Sequence, residues 1–206
     1  MTKVKLCGLR TMDDIGYANE ARPDMAGMIL APGFGRTVPL KLAEDMARSL
    51  SDGIELVGVF VDQPLEEVKE IADRLDLDLI QLHGSENDAY VRRLKELSGR
   101  RIIKSFGTSA DDLDRIGSSS ADLVLIDPGR GSGKTFDLSV LDGVAFKYIL
   151  AGGLTPDNVG EAIRRVRPYA VDTSSGTETD GRKDRVKMMR FVQAVRTADE
   201  ERGGMA

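Results

Sequence analysis

Apolar residues along this chain gather into eight short runs: "VKLCG" (4–8), "DMAGMIL" (24–30), "IELVGVFV" (54–61), "LDLIQLH" (77–83), "RIIKSFG" (101–107), "ADLVLID" (121–127), "KYILAG" (147–152) and "YAVDTS" (169–174). Several are apolar at consecutive positions, as strands covered on both faces are. The segments between them change to a helical period. In "PLEEVKEIADRLD", Leu65, Val68, Ile71, Ala72 and Leu75 share a face, with Pro64 suited to the first turn. "TPDNVGEAIRRVR" predicts a helix with Thr155 as N-cap and Pro156 at its first position. In "KDRVKMMRFVQAVR" the stripe Val186, Met189, Val192 and Val195 predicts the buried face. The alternation predicts an α/β fold, a (β/α)₈ TIM barrel in a single domain over 1–198, with the polar residues 199–206 as a frayed tail. A doubly wound open sheet is the alternative. The barrel places active residues at the C-terminal ends of strands and in the loops after them.

Composition narrows the partners. The chain has 206 residues, with 29 basic against 34 acidic side chains and a net charge of −5. No basic stripe with interleaved aromatics appears, so no nucleic-acid surface is expected. No run is long enough for a signal peptide or a membrane span, which predicts a cytoplasmic protein without a membrane partner. One cysteine and one histidine make neither an internal disulfide nor a zinc site of the usual kind, so no structural metal is expected.

Three strands end in residues that apolar strands do not need. Lys5 and Cys7 are two apart and point to one side of the first strand, where the lysine would favour a reactive thiolate. Leu123, Leu125 and Asp127 share a face of the sixth, so Asp127 is either a cap or a buried carboxyl fit for general acid work. Gln81 and His83 share a face of the fourth, as supporting residues with no proton-transfer step given to the histidine. Glycine-bearing turns follow the seventh and eighth strands, "AGGLTPDN" (151–158) and "DTSSGTE" (172–178). Loops at those places usually hold phosphate in this fold, so a small phosphorylated molecule is the expected ligand.

"DPGRGSGKTFD" (127–137) has the look of a nucleotide-binding P-loop. That pattern, G-x-x-x-x-G-K-[ST], would put its first glycine at 128, where the chain has proline. Proline lacks the N–H and fixes φ, so an NTPase reading fails there. The glycines of 129–136 fit a lid after the sixth strand, with no firm role for Lys134.

In combination, "KLCGL" (5–9), "APGFGRTV" (31–38), "GVFV" (58–61), "QLHG" (81–84), "GSGKTFD" (131–137), "AGGLTPDNV" (151–159), "VDTSSGTE" (171–178) and "GRKD" (181–184) resemble the phosphoribosylanthranilate isomerase family, from Lys3 to about Val195. The resemblance implies a cofactor-free Amadori rearrangement in tryptophan biosynthesis, with Asp127 as general acid and Cys7 as general base. It also implies that Arg36 pairs with the anthranilate carboxylate, that phosphate lies at Gly153, Ser175 and Gly176, and that Asp172 contacts substrate or its neighbours. The expected assembly is a monomer or homodimer. The chain departs from the family in "DTSSG" for "DVSSG", in "GFGR" for "K-[ST]-x-R", and in Leu138 where tryptophan is usual. The sister isomerase of histidine biosynthesis has an aspartate where this chain has Cys7 and a second phosphate loop that is not evident here. A barrel that only binds a phosphorylated ligand is the alternative of another class.

Overall fold

In the computed structural model, residues 1–127, 138–141, 144 and 146–203 are described. Eight strands form one closed parallel barrel in sequence order, β1 (Lys3–Cys7), β2 (Met25–Ile29), β3 (Glu55–Phe60), β4 (Leu79–Leu82), β5 (Arg101–Phe106), β6 (Leu123–Ile126), β7 (Tyr148–Leu150) and β8 (Ala170–Thr173). β1 pairs with both β2 and β8, which closes the sheet and removes the open doubly wound alternative. The predicted lid at 129–136, Lys134 included, lies outside the described residues.

The helices cover the barrel as α1 (Met12–Ala21), α2 (Leu40–Ser49), α3 (Leu65–Arg74), α4 (Asp88–Ser98), α5 (Ala110–Ile116), α6 (Val159–Val166) and α7 (Arg185–Gly203). Local chemistry sets several starts. Thr11 and Asp14 close a capping box on α1, and Asn87 and Ser109 accept from the third residues of α4 and α5. Between β6 and β7 the described residues hold only a 3₁₀ turn, Leu138–Leu141. Val68, Ala72 and Leu75 of the predicted third stripe are buried, while Leu65 and Ile71 pack against the core from its edge.

Two expectations are corrected. Thr155 opens a turn rather than a helix: its carbonyl accepts from Val159 N–H, and α6 begins four residues later with Asn158 at the cap position. On α7, Val186 and Met189 are exposed, and the buried face is Met188, Phe191, Val192, Val195 and Ala198. Spacing of three alone drifts around a 3.6-residue helix, so the stripe read from Val186 meets the core only at Val192 and Val195, which are buried as expected. The last helix also runs into the segment expected to fray, whose final residues 204–206 lie outside the described residues. α7 continues to Gly203, because Ala198 is buried and Asp199 accepts from the Thr2 backbone N–H and, at 2.9 Å, from its hydroxyl.

Strand parity divides the core in two. Met25, Val57, Leu79, Ile103, Leu125, Ile149 and Ala170 fill the barrel interior as one apolar cluster. Residues of the other parity, such as Val4, Leu6, Ala26, Met28 and Leu56, pack outward against the helices. The interior parity therefore decides which side chains emerge at the C-terminal mouth.

Candidate active site

Two residues beyond interior Leu79 and Leu125 along their strands come Gln81 and Asp127, and two beyond Ala170 comes Asp172. The same step on β1 leads from Lys5 to Cys7. Cys7, Gln81, His83, Asp127 and Asp172 all line one cavity of about 270 Å³ at the barrel mouth. Arg36, Gly153, Ser175 and Gly176 line it too, so only Lys5 among the residues expected at the site stays beneath it. Lys5 is fully buried. Phe34, Ile29, Val59 and Val61 add an apolar wall.

Lys5 and Asp172 are register partners across β1 and β8, and the Lys5 Nζ donates to Asp172 Oδ1 at 2.9 Å. Burial works against the Lys5 ammonium, but Asp172 and Cys7 more than offset it and hold the lysine above its ordinary range. Gly27, the register partner of Cys7, makes room for both groups. A Cβ there would lie 2.9 Å from Cys7 Sγ and 3.1 Å from Lys5 Nζ.

Gln81 Nε2 and His83 Nδ1 lie 3.0 Å apart, within hydrogen-bond reach. His83 Nε2 faces Asp127 Oδ2 at 3.7 Å, too far for a hydrogen bond. Burial pushes the His83 imidazole below its ordinary value, and the carboxylates of Asp127 and Asp172 only partly oppose this. His83 is thus a neutral neighbour of Asp127.

The loops after β7 and β8 are locked together. Thr173 Oγ1 donates to Leu154 O at 2.7 Å, and Gly176 lies so close that a Cβ would stand 1.9 Å from the same carbonyl oxygen. No side chain fits at 176. Both turns therefore present backbone to the cavity.

Two features escaped the sequence. Lys104, inside β5, is buried on the outward parity of the strand; its Nζ pairs with Glu86 at 3.1 Å and donates to Gly84 O at 2.7 Å. Glu86 also accepts from the N–H groups of Asp62 and Gly84, which braces the loop that carries His83. Burial lowers the Lys104 pKa, with Glu86 opposing. The signal was present as a lysine within an apolar strand. The second feature is a short hairpin after β8, β9 (Glu178–Thr179) and β10 (Arg182–Lys183), whose Glu178 grips Arg36. Among the described residues, no group of three metal-ligating side chains occurs, and no helix is long and apolar enough to cross a membrane.

A model of the family described as N-(5'phosphoribosyl)anthranilate (PRA) isomerase matches residues 4–194. A relative from Caldanaerobacter subterraneus subsp. tengcongensis, named N-(5'-phosphoribosyl)anthranilate isomerase, is 42% identical over 205 residues, covering 95% of this chain and 98% of its own. The solved phosphoribosyl anthranilate isomerase of Thermotoga maritima superposes with a TM-score of 0.88 at 32% identity, covering 96% of this chain and 100% of its own. Another solved isomerase, in complex with reduced 1-(o-carboxyphenylamino)-1-deoxyribulose 5-phosphate, superposes with a TM-score of 0.86 at 31% identity, over 96% of this chain and 100% of its own.

Proposed function

Because the chain belongs to the N-(5'-phosphoribosyl)anthranilate isomerase family of tryptophan biosynthesis, we propose that it converts N-(5'-phosphoribosyl)anthranilate to 1-(2-carboxyphenylamino)-1-deoxyribulose 5-phosphate by acid–base catalysis from Asp127 and Cys7. The observation that carries the reading is that both residues, one at the end of β1 and one at the end of β6, open on one cavity with the two backbone-lined turns.

The chemistry then follows the residues. The Asp127 carboxyl protonates the ribose ring oxygen as its bond to C1' breaks, which leaves a Schiff base between C1' and the anthranilate nitrogen. The Cys7 thiolate removes the C2' proton, and the electron pair moves to give an enolamine. As the C2' hydroxyl becomes a carbonyl, C1' takes a proton and the aminoketose forms. His83, its imidazole held below its ordinary value by burial, keeps the neighbourhood of Asp127 free of a second positive charge.

The substrate's two anionic ends find different partners. Backbone at Gly153, Ser175 and Gly176 receives the phosphate. Arg36 receives the anthranilate carboxylate in a charge-assisted pair, and the wall of Ile29, Phe34, Val59 and Val61 takes the aromatic ring. Asp172, held by Lys5, is placed to accept from a ribose hydroxyl. The reaction takes place in the cytoplasm, in a monomer or homodimer.

The test is to incubate the purified protein with phosphoribosylanthranilate and follow both its consumption and the appearance of the aminoketose phosphate. Turnover is expected. Tight binding of the product analogue without any turnover would instead leave a ligand-binding barrel.

A further inference from the structure

The motifs "DTSSGTE" and "GRKD" contain two charged residues, Glu178 and Lys183, that the reaction above does not use. The hairpin explains their spacing. β9 and β10 pair antiparallel with Lys183 opposite Glu178, so two residues five apart in sequence become neighbours. Lys183 Nζ stands 3.3 Å from Glu178 Oε1 and donates to Ser174 O at 2.8 Å. Both side chains are almost fully buried, at 1% and 6% exposure, which is unusual for a surface hairpin.

Glu178 faces Arg36. Its Oε1 accepts from Arg36 Nε and its Oε2 from Nη2, each at 2.8 Å, so the carboxylate takes one side edge of the guanidinium. Among the described residues nothing takes Nη1, and the end edge formed by Nη1 and Nη2 remains for a second carboxylate. The arginine stem passes over Gly8, where a Cβ would be 3.0 Å from Arg36 Cδ, directly after Cys7. Arg10 ties the same two loops, donating to the carbonyls of Gly35 and Gly181.

We infer that Glu178 is the positioning residue for Arg36: it fixes the guanidinium by one edge so that the other faces the anthranilate carboxylate, while Lys183 balances its charge. Burial alone would raise the Glu178 carboxyl, but Arg36 and Lys183 together hold it below its ordinary value, so it is ionised while it grips. A free arginine on a loop loses side-chain entropy when a ligand orders it; one already gripped loses less. The inference rests on the reading of Arg36 given above and extends it to a residue that touches no substrate.

The experiment compares wild type, Glu178→Gln, Glu178→Asp and Arg36→Ala on two substrates, phosphoribosylanthranilate and the phosphoribosyl derivative of aniline, which lacks the carboxylate. For Glu178→Gln, KM for the anthranilate substrate is expected to rise about tenfold with kcat changed less than about twofold. On the aniline substrate the same variant should match wild type. Glu178→Asp keeps the charge that balances Lys183 but shortens the reach, and should fall between; it also serves should the glutamine variant fail to fold. Equal losses on both substrates, or an unchanged KM on the first, would overturn the positioning role. The reading of Arg36 is judged separately: an Arg36→Ala variant whose KM is unchanged on the anthranilate substrate sinks that assignment.

Discussion

Gly27 shows how closely single residues are set against the proposed base. A methyl group at 27 would press on Cys7 Sγ and Lys5 Nζ at once. In Gly27→Ala the thiol must move, and kcat should fall by about tenfold or more while the protein still folds, because displacements of this size suffice to disturb a reacting pair. Steady-state kinetics beside a thermal melt would check it; wild-type kcat would show that the thiol has slack. At this scale much could be read from the chain. A period of two put Lys5 with Cys7, Leu125 with Asp127 and Gln81 with His83, and the barrel interior follows that parity. The grip of Glu178 on Arg36 could not be read, because its partners are 142 residues apart and no local pattern couples them.

Elements were legible where burial is symmetrical and less so where it is one-sided. Eight apolar runs became eight strands, since a strand covered on both faces has no phase to mistake. α7 has a phase, and a stripe begun at Val186 misses it with its first two residues and meets it at Val192 and Val195. The pattern Met188, Phe191, Val192, Val195 and Ala198 follows the alternating spacing of three and four that a helix needs to keep one face to the core. The two choices separate experimentally. Met188→Ala should cost about 2–5 kcal/mol of unfolding free energy, whereas Met189→Gln or Val186→Thr should stay within about 0.5 kcal/mol. Denaturant unfolding at equilibrium measures all three, and a large loss at 186 or 189 would reinstate the first reading. The start of α6 was misplaced because Thr155 and Pro156 carry helix-start chemistry that a preceding turn uses equally well.

Across the whole molecule, closure joins what the sequence keeps apart: Cys7 and Asp127 line one cavity only because β1 through β8 return on themselves. The charges around the mouth also couple stability to pH. Folded His83 lies below its ordinary 6.5, so the unfolded chain binds that proton first, and stability begins to fall as pH drops through about 6.5. Folded Glu178 lies below its ordinary 4.5, so its contribution is full above that value and is lost as pH falls through the folded one. The urea midpoint should therefore decline in both windows. The decline through 6.5 should shrink in His83→Gln and the decline below 4.5 in Glu178→Gln; unchanged slopes in both would contradict these assignments. The central claim is that one acid and one base, met at this mouth, rearrange the substrate. Measuring kcat on phosphoribosylanthranilate for Cys7→Ala and Asp127→Asn tests it most directly. Each should lose about a hundredfold or more with the fold intact, and near-wild-type turnover in either variant would contradict the role given to that residue.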